Sequence, residues 1–279
     1  MNVCRSEAQT IRIEPLRGWE PLKLQEVWEY RELLYFLIWR DLKVAYARTE
    51  LGVGWAILRP VLTMAVFTFI FGWLTQLPSD GIPYPLFVYS ALLPWQLFSR
   101  VVAGAGGSMV ANENLVTKVY FPRLIAPLAV TVTGLMDFFI GFSVLLGMMW
   151  FYHSAVTAAV WLLPLLVTIT IAAGLGVGLW VAALNVLCRD IGHAQPFLIQ
   201  LWLFATPIIY PGSLIPPEWR ALYALNPMVG VVEGFRAALL KAEEPSGFAL
   251  APAVVVAGIV FISGLYVFRR TEQMIADTV

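Results

Sequence analysis

The sequence predicts an all-α polytopic membrane protein: six transmembrane helices, an N-terminal amphipathic interfacial helix, and short re-entrant extracytoplasmic helices before the last span. Three observations predict it. Hydrophobic residues make up 59% of the 279, with mean hydropathy +0.76. Charged residues are 13%, about half the usual soluble share, so they cannot cover a soluble surface. Apolar stretches long enough to cross a hydrocarbon core recur along the chain, separated by short polar loops.

The formal net charge is zero, so no bulk field draws in nucleic acid. Cys4 and Cys188 are the two cysteines, without metal-ligand spacing and with no disulfide expected between them. The first forty residues mix acids and bases without an early apolar run, so no signal peptide is expected.

Residues 1–20 read as a polar tail, and 21–54 as an amphipathic helix and the entry to the first span. Val27, Tyr30, Leu33, Leu34, Leu37, Ile38 and Val44 recur at helical spacing among charged residues, with Trp28, Tyr35, Phe36 and Trp39 adding aromatic bulk. Such a helix suits the interface plane, its apolar face toward the acyl chains. A single transmembrane domain then covers 55–268 and a second tail 269–279. The spans are expected at about 55–77, 86–110, 124–150, 158–187, 196–209 and 249–268. Arg59-Pro60 opens the first, where proline is tolerated near a helix start and arginine can snorkel to the headgroups. Gly174, Gly176 and Gly178 in the fourth permit close helix contact. The part at 213–240 is broken by prolines and charges, so short re-entrant or surface helices fit it better than a lipid-exposed span.

Six spans leave both termini on one side. Nine lysines and arginines lie through Arg59; the loop at 112–123, the loop at 189 and the C-terminal tail bring that face to fourteen. The opposite loops hold three: Arg220, Arg236 and Lys241. The positive-inside rule puts both termini and the 112–123 loop in the cytoplasm.

That loop, NENLVTKVYFPR, is a polar and amphipathic island between long apolar segments. A short helix there, ended by Pro122, can dock in another protein's groove or serve as an ordinary membrane return. Arg100 and Asp137 are ionisable residues deep in predicted spans, where charge is costly unless paired, solvated or facing a cavity. They form a salt bridge, or Arg100 faces a passage for an anionic substrate. Glu233 and Arg236, three apart, pair with each other, line an outer mouth, or anchor a re-entrant helix. Aromatic rings at Trp95, Phe98, Trp180, Trp202 and Phe204 lie deeper than the interfacial tryptophans and could line a passage for sugar rings; packing in the core or against lipid explains each equally well.

No lysine closes a G-x-x-x-x-G-K-[ST] string, and neither a zinc-protease helix nor a G-x-S-x-G elbow occurs. If ATP powers this protein, a separate subunit hydrolyses it.

Five strings in order carry a family resemblance: WRDLKVAYARTELGVGWAILRP at 39–60, NENLVTKVYFPRLIAP at 112–127, NVLCRDIG at 185–192, TPIIYP at 206–211 and NPMVGVVEGFRAALL at 226–240. Together they resemble the membrane subunit of ABC-2-type polysaccharide and polyol-phosphate exporters, the class that exports O-antigen, capsule and teichoic acid. The resemblance implies a homodimer with two copies of an ATP-binding subunit, which would hold ATP and magnesium; no cofactor is expected on this chain. It makes 112–123 a cytoplasmic coupling helix, with Asn112, Glu113, Leu115, Lys118, Val119, Tyr120, Phe121 and Arg123 as its contact residues. It implies that the helix at 25–47 helps receive a lipid-linked glycan, and Arg40, Lys43 and Arg48 are candidates to attract the anionic lipid head. Glu233 and Arg236 match the family's NP…E.FR pattern and Asp137 its acidic position; Arg100 has no matched place. The implied function is ATP-driven export of lipid-linked polysaccharide, O-antigen first, across the bacterial inner membrane, without covalent chemistry on this chain. Rival readings are an ABC-type exporter of a small lipophile, a secondary transporter, and a membrane-embedded glycosyl- or phosphotransferase.

Overall fold

The computed structural model describes residues 24–47, 50–154, 157–188, 190–240 and 247–278. All regular structure among them is helical: α1 Leu24–Glu29, α2 Arg31–Tyr46, α3 Gly54–Phe67, α4 Tyr84–Ala111, α5 Glu113–Lys118, α6 Ile125–Phe151, α7 Leu163–Leu187, α8 Asp190–Phe204, α9 Pro217–Tyr223, α10 Pro227–Leu240 and α11 Gly247–Thr278. A wider π turn, Thr68–Leu74, prolongs α3.

Among the described residues five segments are long and apolar enough to cross a membrane: Gly54–Leu74, Tyr84–Ala111, Ile125–Phe151, Ala158–Leu187 and Leu250–Thr271. The expected fifth span, about 196–209, differs. Its helix, α8, has 15 residues, about 22 Å of rise. It nevertheless runs antiparallel along α4. Gln195 donates to the Val102 carbonyl at 2.8 Å, and past the helix end Ile208 shares the Arg236 guanidinium with Phe87. An irregular stretch thus completes what a longer helix would cover.

α4 is the central helix, enclosed by α6, α7, α10 and α3. Small residues bring the axes together. Gly174 and Gly178, four apart, face α4, where a Cβ would press on Val101 and on Ala105. Gly176 turns to the other side, with no room for a Cβ against Phe261 of α11. Without a hydrophobic drive between helices in lipid, this close approach supplies the dispersion contact that holds them.

The two ends of the bundle differ. At one, Phe268 of α11 packs with Met109, Ala126 and Val116, and Leu37 of α2 packs with Phe121, Ile125 and Leu115. The described ends of the chain therefore lie at the end that carries α5. At the other lie the turn after α8 and the start of α4.

α2 also differs from expectation. Of the stripe assigned to the acyl chains, Val27, Tyr30, Leu33, Leu34, Leu37 and Ile38 pack on Phe121, Ile125 and Ala129 of the same chain, and Val44 stays exposed with Trp28, Tyr35, Phe36 and Trp39. Nine residues beyond Leu37, Tyr46 reaches Asp137 on α6, so α2 runs beside α6 in the same direction. Protein takes the aliphatic stripe because Phe121, Ile125 and Ala129 offer it an apolar surface; the outward aromatics suit an interface instead.

Candidate functional site

The island and α2 form one unit. Asn112 is buried at the end of α4, where its amide donates to the Ser108 carbonyl at 2.8 Å. Its oxygen accepts from Arg40 Nη1 at 2.8 Å, and Arg40 also grips Asp41 Oδ1 at 2.9 and 2.7 Å. Leu115 and Phe121 turn inward onto Leu37. Glu113, Lys118, Val119 and Tyr120 face outward, Tyr120 78% exposed. Arg123 lies half-buried in a recess beside Met109, Ala182 and Phe268. The contact face expected at 112–123 therefore divides. Asn112, Leu115 and Phe121 fasten the island to its own protein; Glu113 and Lys118 on α5, with Val119 and Tyr120 just past it, face outward, and Arg123 stays half-buried. A helix of six residues cannot stand alone in water; α2 holds it in place.

Of the residues expected to attract an anionic head, Arg40 is spent on Asp41 and Asn112. Lys43 is exposed, 5.3 Å from the Trp39 ring centre. Arg48 lies outside the described residues.

Arg100 and Asp137 meet in an ion pair between α4 and α6. The Tyr46 hydroxyl donates to the other carboxylate oxygen of Asp137. Three helices therefore share one polar cluster inside otherwise apolar packing. Sequence reasoning missed Tyr46. No spacing marks it; the one signal was that a lone acid inside a span needs donors on both its oxygens.

At the opposite end the broken backbone is satisfied by side chains. Asn226 accepts from Trp202 Nε1 at 3.0 Å and from the Met228 amide at 3.1 Å, while its own amide donates to Thr206 Oγ1 at 3.1 Å. Tyr84 donates to the Ile209 carbonyl at 2.8 Å. Arg236, 4% exposed, donates to Ile208 O at 2.9 Å and to Phe87 O, with its guanidinium carbon 3.5 Å from the Phe87 ring centre. Glu233 is half-buried over Gly212, where a Cβ would collide with its carboxylate. Among the described residues Glu233 and Arg236 make no ion pair with each other. The arginine anchors α10 and presents nothing to an outer mouth of this chain.

The ring set also divides. Trp95 and Phe98 are 3% and 0% exposed, with Trp202 edge-on to Phe98 at 5.0 Å. Enclosed on α4, Trp95 and Phe98 cannot touch a passing sugar, so as conduit residues they are corrected to core. Trp180, which donates to Ser263 at 3.1 Å, and Phe204 remain on the surface.

A model of the ABC-2 type transporter family matches residues 32–240, from α2 through α10. The chain belongs to the ABC-2 type transporter family. This ABC-2 chain is 32% identical over 259 residues to the O-antigen export system permease protein RfbA of Myxococcus xanthus, covering 92% of the chain and 98% of that relative. It is 27% identical to the RfbA permease of Klebsiella pneumoniae, over 74% of the chain and 79% of the relative. It is 24% identical to the polysialic acid transport protein KpsM of Escherichia coli, over 85% and 92%. The matched region holds the island, the polar cluster and the Arg236 anchor together. An ABC-2 membrane subunit is not itself an enzyme; a separate subunit handles ATP.

Proposed function

We propose that this chain is the membrane subunit of an ATP-driven exporter that moves lipid-linked polysaccharide, O-antigen first, out of the cytoplasm of a bacterium. The observation that carries this reading is near end-to-end similarity to an O-antigen export permease, at 32% identity over 98% of its length. Two copies of this subunit work with two ATP-binding subunits, which hold ATP and magnesium. The chain crosses the inner membrane six times, with α8 and its irregular extension as the fifth crossing and both termini cytoplasmic. The fourteen-to-three split of lysine and arginine supports that orientation.

In this reading the end of α5 and the residues after it dock on the ATPase through Lys118, Val119 and Tyr120, and α2 carries the motion to the Tyr46–Asp137–Arg100 cluster. Arg236 and Asn226 hold the outer break in shape while the glycan passes at the interface between the two copies. Trp180 and Phe204 are the exposed rings available to it. Two measurements test the proposal. Lipid-linked glycan should stimulate ATP hydrolysis by the purified complex; stimulation by a small lipophile with none by any lipid-linked glycan sinks the assignment. Replacing Val119 by Asp together with Tyr120 by Ala should weaken ATPase-subunit binding about tenfold or more. Normal assembly and transport by that variant would remove α5 from the docking surface. Leu115 is unsuitable for this test because it packs on α2.

A further inference from the structure

A tryptophan and a cation recur together on the N-terminal helices. Arg31 lies 5.8 Å from the Trp28 ring centre, Lys43 5.3 Å from Trp39 and Arg59 5.7 Å from Trp55. Each cation follows its tryptophan by three or four residues, the spacing that brings side chains together on one helix face. All three cations are exposed.

The third pair stands apart. It sits on α3, whose membrane-crossing window is 6% buried and so faces away from the protein. An exposed guanidinium on such a helix is costly unless it reaches water or meets an anion. Arg100, whose field Arg59 shares, is already neutralised by Asp137. Among the described residues no carboxylate lies within ion-pair distance of Arg59, and its charge adds to the field at Arg100. Arg59 therefore keeps a positive charge without a carboxylate partner on the helix that packs beside α4.

We propose that Arg59, backed by Trp55, is the seat of a lipid phosphate. The planar guanidinium matches phosphate oxygens in a two-bond fork. The Trp55 indole, 5.7 Å from the guanidinium carbon, adds a ring of the kind that favours headgroup regions. Two lipids share this chemistry: an anionic bilayer phospholipid, and the polyprenyl diphosphate carrier of a lipid-linked glycan. The second rests on the exporter reading above; the first does not.

The test uses the complete complex with its ATPase subunits in nanodiscs, titrated separately with phosphatidylglycerol and a polyprenyl diphosphate against a phosphatidylcholine background. Native mass spectrometry reads the lipid retained. Arg59→Gln should weaken retention of at least one probe about tenfold, as loss of charge-assisted hydrogen bonds implies. Arg31→Gln, on α2, should change it less than about twofold. The probe that is lost identifies the source of the phosphate. Equal retention of both probes by wild type and Arg59→Gln overturns the proposal. Should Arg59→Gln fail to assemble, Arg59→Lys decides: it keeps the charge and loses the fork, so weaker retention supports the seat and unchanged retention overturns it. If the wild type binds phosphatidylglycerol but no polyprenyl diphosphate, the exporter reading fails while Arg59 is still tested.

Discussion

Arg100 and Arg236 both contact α4, and each solves the same problem differently. Arg100, in the second half of the helix, meets a carboxylate that is itself held by a tyrosine hydroxyl. Arg236 reaches the first half and meets no carboxylate at close range; it is satisfied by two backbone carbonyls and the face of a ring. The first arrangement joins side chains on three helices, and each side chain can move. The second is tied to main chain at Phe87 and Ile208, which cannot move without the fold. The contrast teaches which charge is a fixed fastening and which is an adjustable link.

The largest expected effect breaks the fastening. Arg236→Leu leaves the Ile208 carbonyl without its donor and removes the stacking on Phe87, whose own carbonyl keeps the Ser90 hydroxyl at 3.0 Å. Ile208 lies in an irregular stretch with no helix to take up its carbonyl, so the loss should be about 3 kcal/mol or more. A lower melting temperature in detergent, with poor recovery of folded protein, is the expected outcome. Arg236→Lys should restore only part, since an ammonium cannot reach both carbonyls and stack on the ring. Wild-type stability in Arg236→Leu would reduce Arg236 to the same class as a surface charge.

The sequence was informative where physics is local. Long apolar runs, the Arg100 and Asp137 charges within them, and the proline-broken outer segment could all be read from it. It was not informative about which apolar face meets protein and which meets lipid. The window of α4 is less apolar than that of α3, yet 78% of it is buried against 6% of the other. Trp95 and Phe98 could not be told from conduit residues for that reason. α2 misled in the same way: a helical stripe says that a face will be covered, not by what. Arg236 was legible as a possible anchor, but its partners are a carbonyl on α4 and one exposed by the helix break after Phe204, and no residue type signals a free carbonyl.

The next effect down tests the link. Asp137→Asn keeps the shape and leaves Arg100 without its countercharge, for about 2 kcal/mol of lost stability. Adding Arg100→Gln removes the stranded cation, so the double variant should recover part of that loss. This recovery is the sharpest difference between the two arginines, because no second substitution can rescue the Ile208 carbonyl left by Arg236→Leu. If the double variant is no better than Asp137→Asn alone, the ion pair does not behave as an exchangeable unit.

The smallest effect concerns Tyr46, which decides whether α2 belongs to that unit. Tyr46→Phe keeps the ring and deletes the donor to Asp137, for about 1 kcal/mol. Its cost should shrink in the Asp137→Asn background, because a neutral amide is a weaker acceptor than a carboxylate. A double-mutant cycle measures this as a coupling of about 0.5 kcal/mol or more. Arg40 already fastens α2 to the island through Asn112. A measurable Tyr46–Asp137 coupling therefore makes α2 a strut held at both ends, between the docking face and the middle of the bundle. Strict additivity would leave α2 fastened at the island alone, and Arg100–Asp137 would stand as a two-helix pair.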